Sequence, residues 1–116
     1  MPRFMGFVRM EEGVGTPPKE LFEAMDTYIA GQAEKGVFLD GGGLYGTEDA
    51  VNFVVRKGEV SRVDGPYAEA KEVVGGIFVV RAANYDEAIR LASDCPHLAF
   101  GRIDVRQIDF MGRPEP

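Results

Sequence analysis

The segment Val63–Glu72, VDGPYAEAKE, runs into Val73–Val80, VVGGIFVV, and this join decides the fold. Asp64-Gly65-Pro66 is a local stop. Gly65 has access to positive φ, Pro66 fixes φ, and a residue before proline is pushed out of the α region. Behind the stop sit Asp64, Glu69, Lys71 and Glu72. The strand that follows, read over Gly75–Ala82, is apolar on both sides, with Ile77 and Val79 on one face and Phe78 and Val80 on the other. Such a strand belongs inside a sheet that is covered on both faces.

Arg3–Met10 has the same character: Phe4, Val8 and Met10 point one way, Met5 and Phe7 the other. After a polar link, Thr16-Pro17-Pro18 opens a helix whose apolar face is Leu21, Phe22, Met25, Tyr28, Ile29 and Ala33, and Gly36 ends it. Val37–Leu39 predicts a short strand, and Asp40–Gly46 a flexible glycine-rich turn at the rim of a pocket. Ala50–Arg56 and Glu59–Val63 predict a hairpin turning at Lys57-Gly58. Residues 64–74 read as a loop. Downstream, Asn84 with Glu87 three residues on caps a second helix. Its buried side is Ala88, Ile89, Leu91, Ala92 and Cys95, and Pro96 ends it. Phe100–Phe110 is a last strand, with Ile103 and Val105 alternating with Arg102, Asp104 and Arg106. Gly112–Pro116 reads as a disordered tail.

The order β-α-β-(β-β)-β-α-β predicts one α+β domain over residues 1–116, a ferredoxin-like sandwich with a mainly antiparallel sheet. Two short helices cover one sheet face, which leaves a second apolar face bare. A homodimer with sheets face to face, a dimeric α+β barrel, is the expected solution. Arg102, Asp104 and Arg106 then face the shared cavity, as an interchain ion-pair network or as the wall of an anion site.

A net charge of −6 with no Lys/Arg run excludes direct nucleic-acid binding. No apolar run approaches the ~20 residues of a membrane span, and no signal-peptide core precedes the first strand. A cytoplasmic protein is expected. Cys95 is the only cysteine and His97 the only histidine, so neither a disulfide nor a zinc site is expected; no metal or cofactor is implied. Gly41, Gly43 and Gly46 fit the letters of a dinucleotide fingerprint, but a β-rich run follows where a helix would be needed.

Candidate catalytic groups are His97, which titrates near neutrality, and Asp64 at the rigid turn; Glu69, Lys71, Asp104 and Arg106 are candidate ligand-binding groups. The bland alternatives are a solvated charged loop, and an Asp64 that accepts the N–H groups of its own turn.

Asp64-Gly65-Pro66-Tyr67, Ala68-Glu69, Lys71-Glu72 and Gly75-Gly76 resemble the DGPF-type branch of the YCII-related superfamily. Tyr67 stands for that branch's Phe and Ala70 for its Thr or Ser. Asp86-Glu87-Ala88, Cys95-Pro96 and Ile103-Asp104-Val105-Arg106 extend the resemblance; Asp104 and Gln107 depart from the branch's usual I-E-V-R-P. The resemblance implies a dimeric α+β barrel and names no reaction. A His–Asp pair proposed for other branches uses an early His that this chain lacks. Two functional readings follow. One is a homodimeric small-ligand-binding protein, with an enzyme of unknown reaction as one form of it, that has an acidic and basic pocket near the DGPY loop. The other is a non-catalytic regulatory or interaction module, linked through the resemblance to sigma-factor-dependent transcription.

Overall fold

A computed structural model describes residues 1–11, 18–65 and 72–114. Its strands are β1 (Arg3–Glu11), β2 (Phe38–Gly43), β3 (Val51–Arg56), β4 (Glu59–Asp64), β5 (Glu72–Arg81) and β6 (Arg102–Gln107). The helices are α1 (Lys19–Glu34) and α2 (Tyr85–Ser93), with short 3-10 turns at Thr47–Asp49 and Pro96–Ala99. The main sheet has the order β2-β5-β1-β6, every described pairing antiparallel, and β3-β4 forms a separate hairpin. Without the hairpin this is the β-α-β-β-α-β order of a ferredoxin-like sandwich, the α+β class expected.

The two strands with double apolar faces, β1 and β5, are the central pair. On one face Phe4, Val8, Phe78 and Val80 pack with Ala82 and with Ala88 and Ala92 of α2. Gly6 lies opposite Phe78, and a Cβ there would come within 2.1 Å of the Phe78 ring. The ring fills the space a side chain at position 6 would need.

α1 begins after Pro18, whose φ of −64° and ψ of 153° are extended. It closes in a Schellman turn: Gly36 at φ 75° donates to the Ala33 carbonyl, and Val37 donates to Gln32. Its inward stripe is Leu21 and Gln32, both buried, with Met25, Tyr28 and Ile29 half-buried between them. Phe22 and Ala33, expected on that face, are exposed, because the stripe follows positions 21, 25, 28 and 32. Tyr28 donates to the Leu91 carbonyl, and Met25 Sδ lies 3.8 Å from Cys95 Sγ, so α1 is tied to the end of α2. Asn84 caps α2 by accepting from the Glu87 N–H at 2.9 Å. Ile89, expected inside, is exposed at a groove beside β6. Phe4 meets Tyr85 edge to face at 4.8 Å, and the Tyr85 hydroxyl accepts from Gln107 N–H at 2.7 Å.

Two local expectations are corrected. Asp40–Gly43 is not a turn: β2 continues through the glycines because their backbones complete the edge of β5. Gly65 does not take positive φ. It is instead wedged against Thr47–Asp49, donating to the Ala50 carbonyl at 2.8 Å, and a Cβ there would sit 1.7 Å from the Thr47 carbonyl oxygen. At the C-terminal end, Phe110–Arg113 forms a turn, with Arg113 N–H donating to Phe110 at 3.0 Å. The hairpin turn is as expected, with Lys57 (φ 54°) and Gly58 (φ 79°) both left-handed, as a type I′ connection requires.

These approaches make unequal demands on glycine. Gly65→Ala forces backbone apart and should cost about 1–3 kcal/mol. At Gly42 an added methyl group would meet no atom within 4 Å, so Gly42→Ala should be neutral or stabilising by up to about 1 kcal/mol. Urea unfolding of the two variants checks the contrast.

Candidate functional site

The register of the main sheet fixes what stands on the face away from the helices. Arg3 is opposite Arg81, Met5 opposite Val79 and Arg106, Phe7 opposite Ile77 and Asp104, and Arg9 opposite Arg102. β2 adds Asp40 beside Val79 and Gly42 beside Ile77. The centre of this open face is therefore apolar, with Met5, Phe7, Ile77 and Val79 half-buried, and its two ends are charged.

At one end the charges are matched. Arg9 pairs with Asp104 through Nε and Oδ2. Arg102 reaches Glu72 at 2.7 Å and Asp104 at 3.7 Å. This network crosses β1, β6 and β5 within a single chain, whereas the sequence reading looked to a partner chain for the acids and bases. Hydrogen bonding from and charge on Glu72, with Asp104 behind it, push the Arg102 guanidinium further up. At the other end stand Arg3, Arg81 and Arg106. The side chains of Arg81 and Arg106 make no ion pair or hydrogen bond among the described residues.

Between these ends, beside β2, lies an open depression of about 250 Å³. Ile77 and Val79 form its floor and the Asp40–Leu44 stretch its wall. It exists because Gly42 puts no side chain onto the face. The glycine run thus rims a pocket, as expected, but as a strand. A second, larger groove of about 460 Å³ runs between α2 and β6, lined by Ile89, Leu98, Ile103 and Val105 with Asp104 at its margin.

Apart from Asp104 and Arg106, the described predicted site residues stand on separate elements. Asp104 and Arg106 share the open face. Asp64 ends β4, exposed, its Oδ1 accepting from Arg62 Nε at 2.7 Å. His97 sits half-buried in the 3-10 turn after α2. No hydrogen bond or ion pair joins Asp64 to His97 among the described residues. Glu69 and Lys71 lie outside the described residues. Arg9, Arg81 and Asp40 were missed by sequence reading. The alternation of β1 carried the signal for Arg9, since it shares the face of Met5 and Phe7.

A family model for the YCII-related domain matches residues 3–111. The chain belongs to the YCII-related domain family. No curated protein matches it. Within this YCII-related domain, no described helix is long and apolar enough to cross a membrane, and no three described His, Cys, Asp or Glu converge as metal ligands. Burial raises the Cys95 thiol above its ordinary value, which disfavours the thiolate a nucleophile needs.

Two measurements test this electrostatic picture. A double-mutant cycle of Arg9→Gln and Asp104→Asn should give a coupling of about 1 kcal/mol, the scale of a partly exposed ion pair, and the coupling should shrink in high salt. Burial also holds the His97 imidazole below its ordinary 6.5. The unfolded chain then takes up this proton first as pH falls below 6.5, so stability falls from there and levels off below the folded-state pKa. Denaturant midpoints between about pH 7.5 and about pH 5 should therefore fall more for the native chain than for His97→Gln.

Proposed function

We propose that this YCII-related domain is a DGPF-type, homodimeric small-ligand-binding protein. In this reading two open sheet faces meet as an α+β barrel and enclose the depression over Ile77 and Val79. The observation that carries it is the open face itself: an apolar centre with a side-chain-free trough, ringed by charge, on the side of the sheet that no helix covers.

Magnitudes favour a contact larger than the sheet face alone. Met5, Phe7, Ile77 and Val79 are already half-buried, so covering them contributes on the order of 1 kcal/mol each. Association costs about 4–15 kcal/mol in lost freedom. The β3-β4 hairpin adds a second uncovered apolar surface. Phe53, Val55 and Val60 share one of its faces and are 64–69% exposed. Covering them contributes about 1.5–3 kcal/mol each. An isolated two-stranded hairpin is marginal in water, so a partner surface stabilises the arm as well.

The ligand-binding reading is favoured over the regulatory one by the trough, which a purely interactive surface does not need. Chemistry on the ligand would fall to Asp104 and Arg106 on the face itself.

Sedimentation equilibrium at micromolar concentration should give twice the chain mass of 12.7 kDa. Ile77→Asp and Phe53→Asp should each shift the protein toward monomer while circular dichroism keeps the native signal. A native chain that sediments as a monomer sinks the dimer. Native mass spectrometry of protein purified without added ligand tests for a retained small molecule.

A further inference from the structure

The two charged ends of the open face are not alike. At the Arg9 end, Asp104 and Glu72 neutralise both arginines. At the other end Arg3 and Arg81 occupy directly opposed cross-strand positions, and Arg106 stands one row away across Met5. The chain is acidic, with a net charge of −6, yet among the described residues no carboxylate pairs with Arg81 or Arg106. An anion bound there would accept from the guanidinium groups of Arg81 and Arg106 in the forked geometry that carboxylates match.

The anion site adjoins a place for an apolar body. Arg81 follows Val79 by two residues on the same face, about 7 Å along the strand. Val79 and Ile77 floor the 250 Å³ depression, and Gly42 leaves it open. An arginine side chain spans that distance. We propose that the open face binds a small monocarboxylate carried on an apolar body, the carboxylate on Arg81 and Arg106 with Arg3 beside them, the body in the trough over Ile77 and Val79. This rests on the open face being the ligand chamber and adds the chemistry of what it holds.

The test is an amide-resolved NMR titration with three probes of graded chemistry: sodium benzoate, benzyl alcohol and inorganic phosphate. Sedimentation is run on every sample. Benzoate should shift the amides of Gly42, Ile77, Val79 and Arg81. It should bind at least about tenfold tighter than benzyl alcohol, which lacks the charge, and than phosphate, which lacks the body. Arg81→Gln and Arg106→Gln should each lose about tenfold in benzoate affinity, with Arg90→Gln on α2 unchanged. Equal binding of benzyl alcohol overturns the anion site, and phosphate binding as tightly as benzoate overturns the apolar trough. A dimer whose open-face amides do not respond to benzoate overturns the ligand class and leaves the dimer standing. A monomer that still binds benzoate on this face keeps the ligand class and overturns the dimer. Loss of the dimer in Arg81→Gln, with no benzoate response in the native chain, assigns the arginines to a partner chain's acids and overturns the proposal.

Discussion

Phe78 lies over Gly6 because no side chain stands at that position to hold the ring away, and a methyl there would overlap it at 2.1 Å. This approach locks the β1-β5 register: Phe4 then meets Val80 and Val8 meets Gly76 on the helix face, while Met5 meets Val79 and Phe7 meets Ile77 on the other. A one-residue slip of β1 would exchange its two faces and put Arg3 and Arg9 beneath the helices. The core under α2, the floor of the open face and the position of each arginine all follow from the one contact.

Charge is distributed over the open face with the same economy of position. Glu72, Arg102, Asp104 and Arg9 come from the beginnings and ends of three strands and close into a chain of ion pairs. Being partly exposed, such pairs add little stability. Their larger effect is to satisfy charges that would otherwise crowd the apolar centre. Arg81 and Arg106 at the opposite end have no such partner among the described carboxylates, and this asymmetry gives the face a direction.

The hairpin is an insertion between the second and third strands of the main sheet, held at its base by Gly65 against Thr47–Asp49. Its strands pair with each other and leave Phe53, Val55 and Val60 outward. Gly65 at its foot thus has a structural duty that its letter alone does not reveal: tight backbone contact with Thr47 and Ala50 sets where the arm leaves the body. Asp64, placed on that arm, pairs with Arg62 of the same strand.

The sequence by itself determined the elements, the α+β class, the hairpin turn at Lys57-Gly58 and the two-faced character of β1 and β5. These rest on local chemistry and on periods of 2 and 3.6, which are written along the chain. It also put Asp104 and Arg106 on the face away from the helices. It misjudged Asp40–Gly43, because glycine's freedom signals a turn unless a neighbouring edge recruits its backbone, as β5 does. It misjudged Phe22 and Ile89, because an apolar side chain at the margin of a helical stripe is buried only if something stands against it. Which charges meet was decided only by the tertiary structure. Arg9 and Asp104 are 95 residues apart, and Arg3 and Arg81 are joined only through the register of two strands. Alternation tells which face a residue takes, while strand order and register decide its neighbours, and a pocket is made of neighbours.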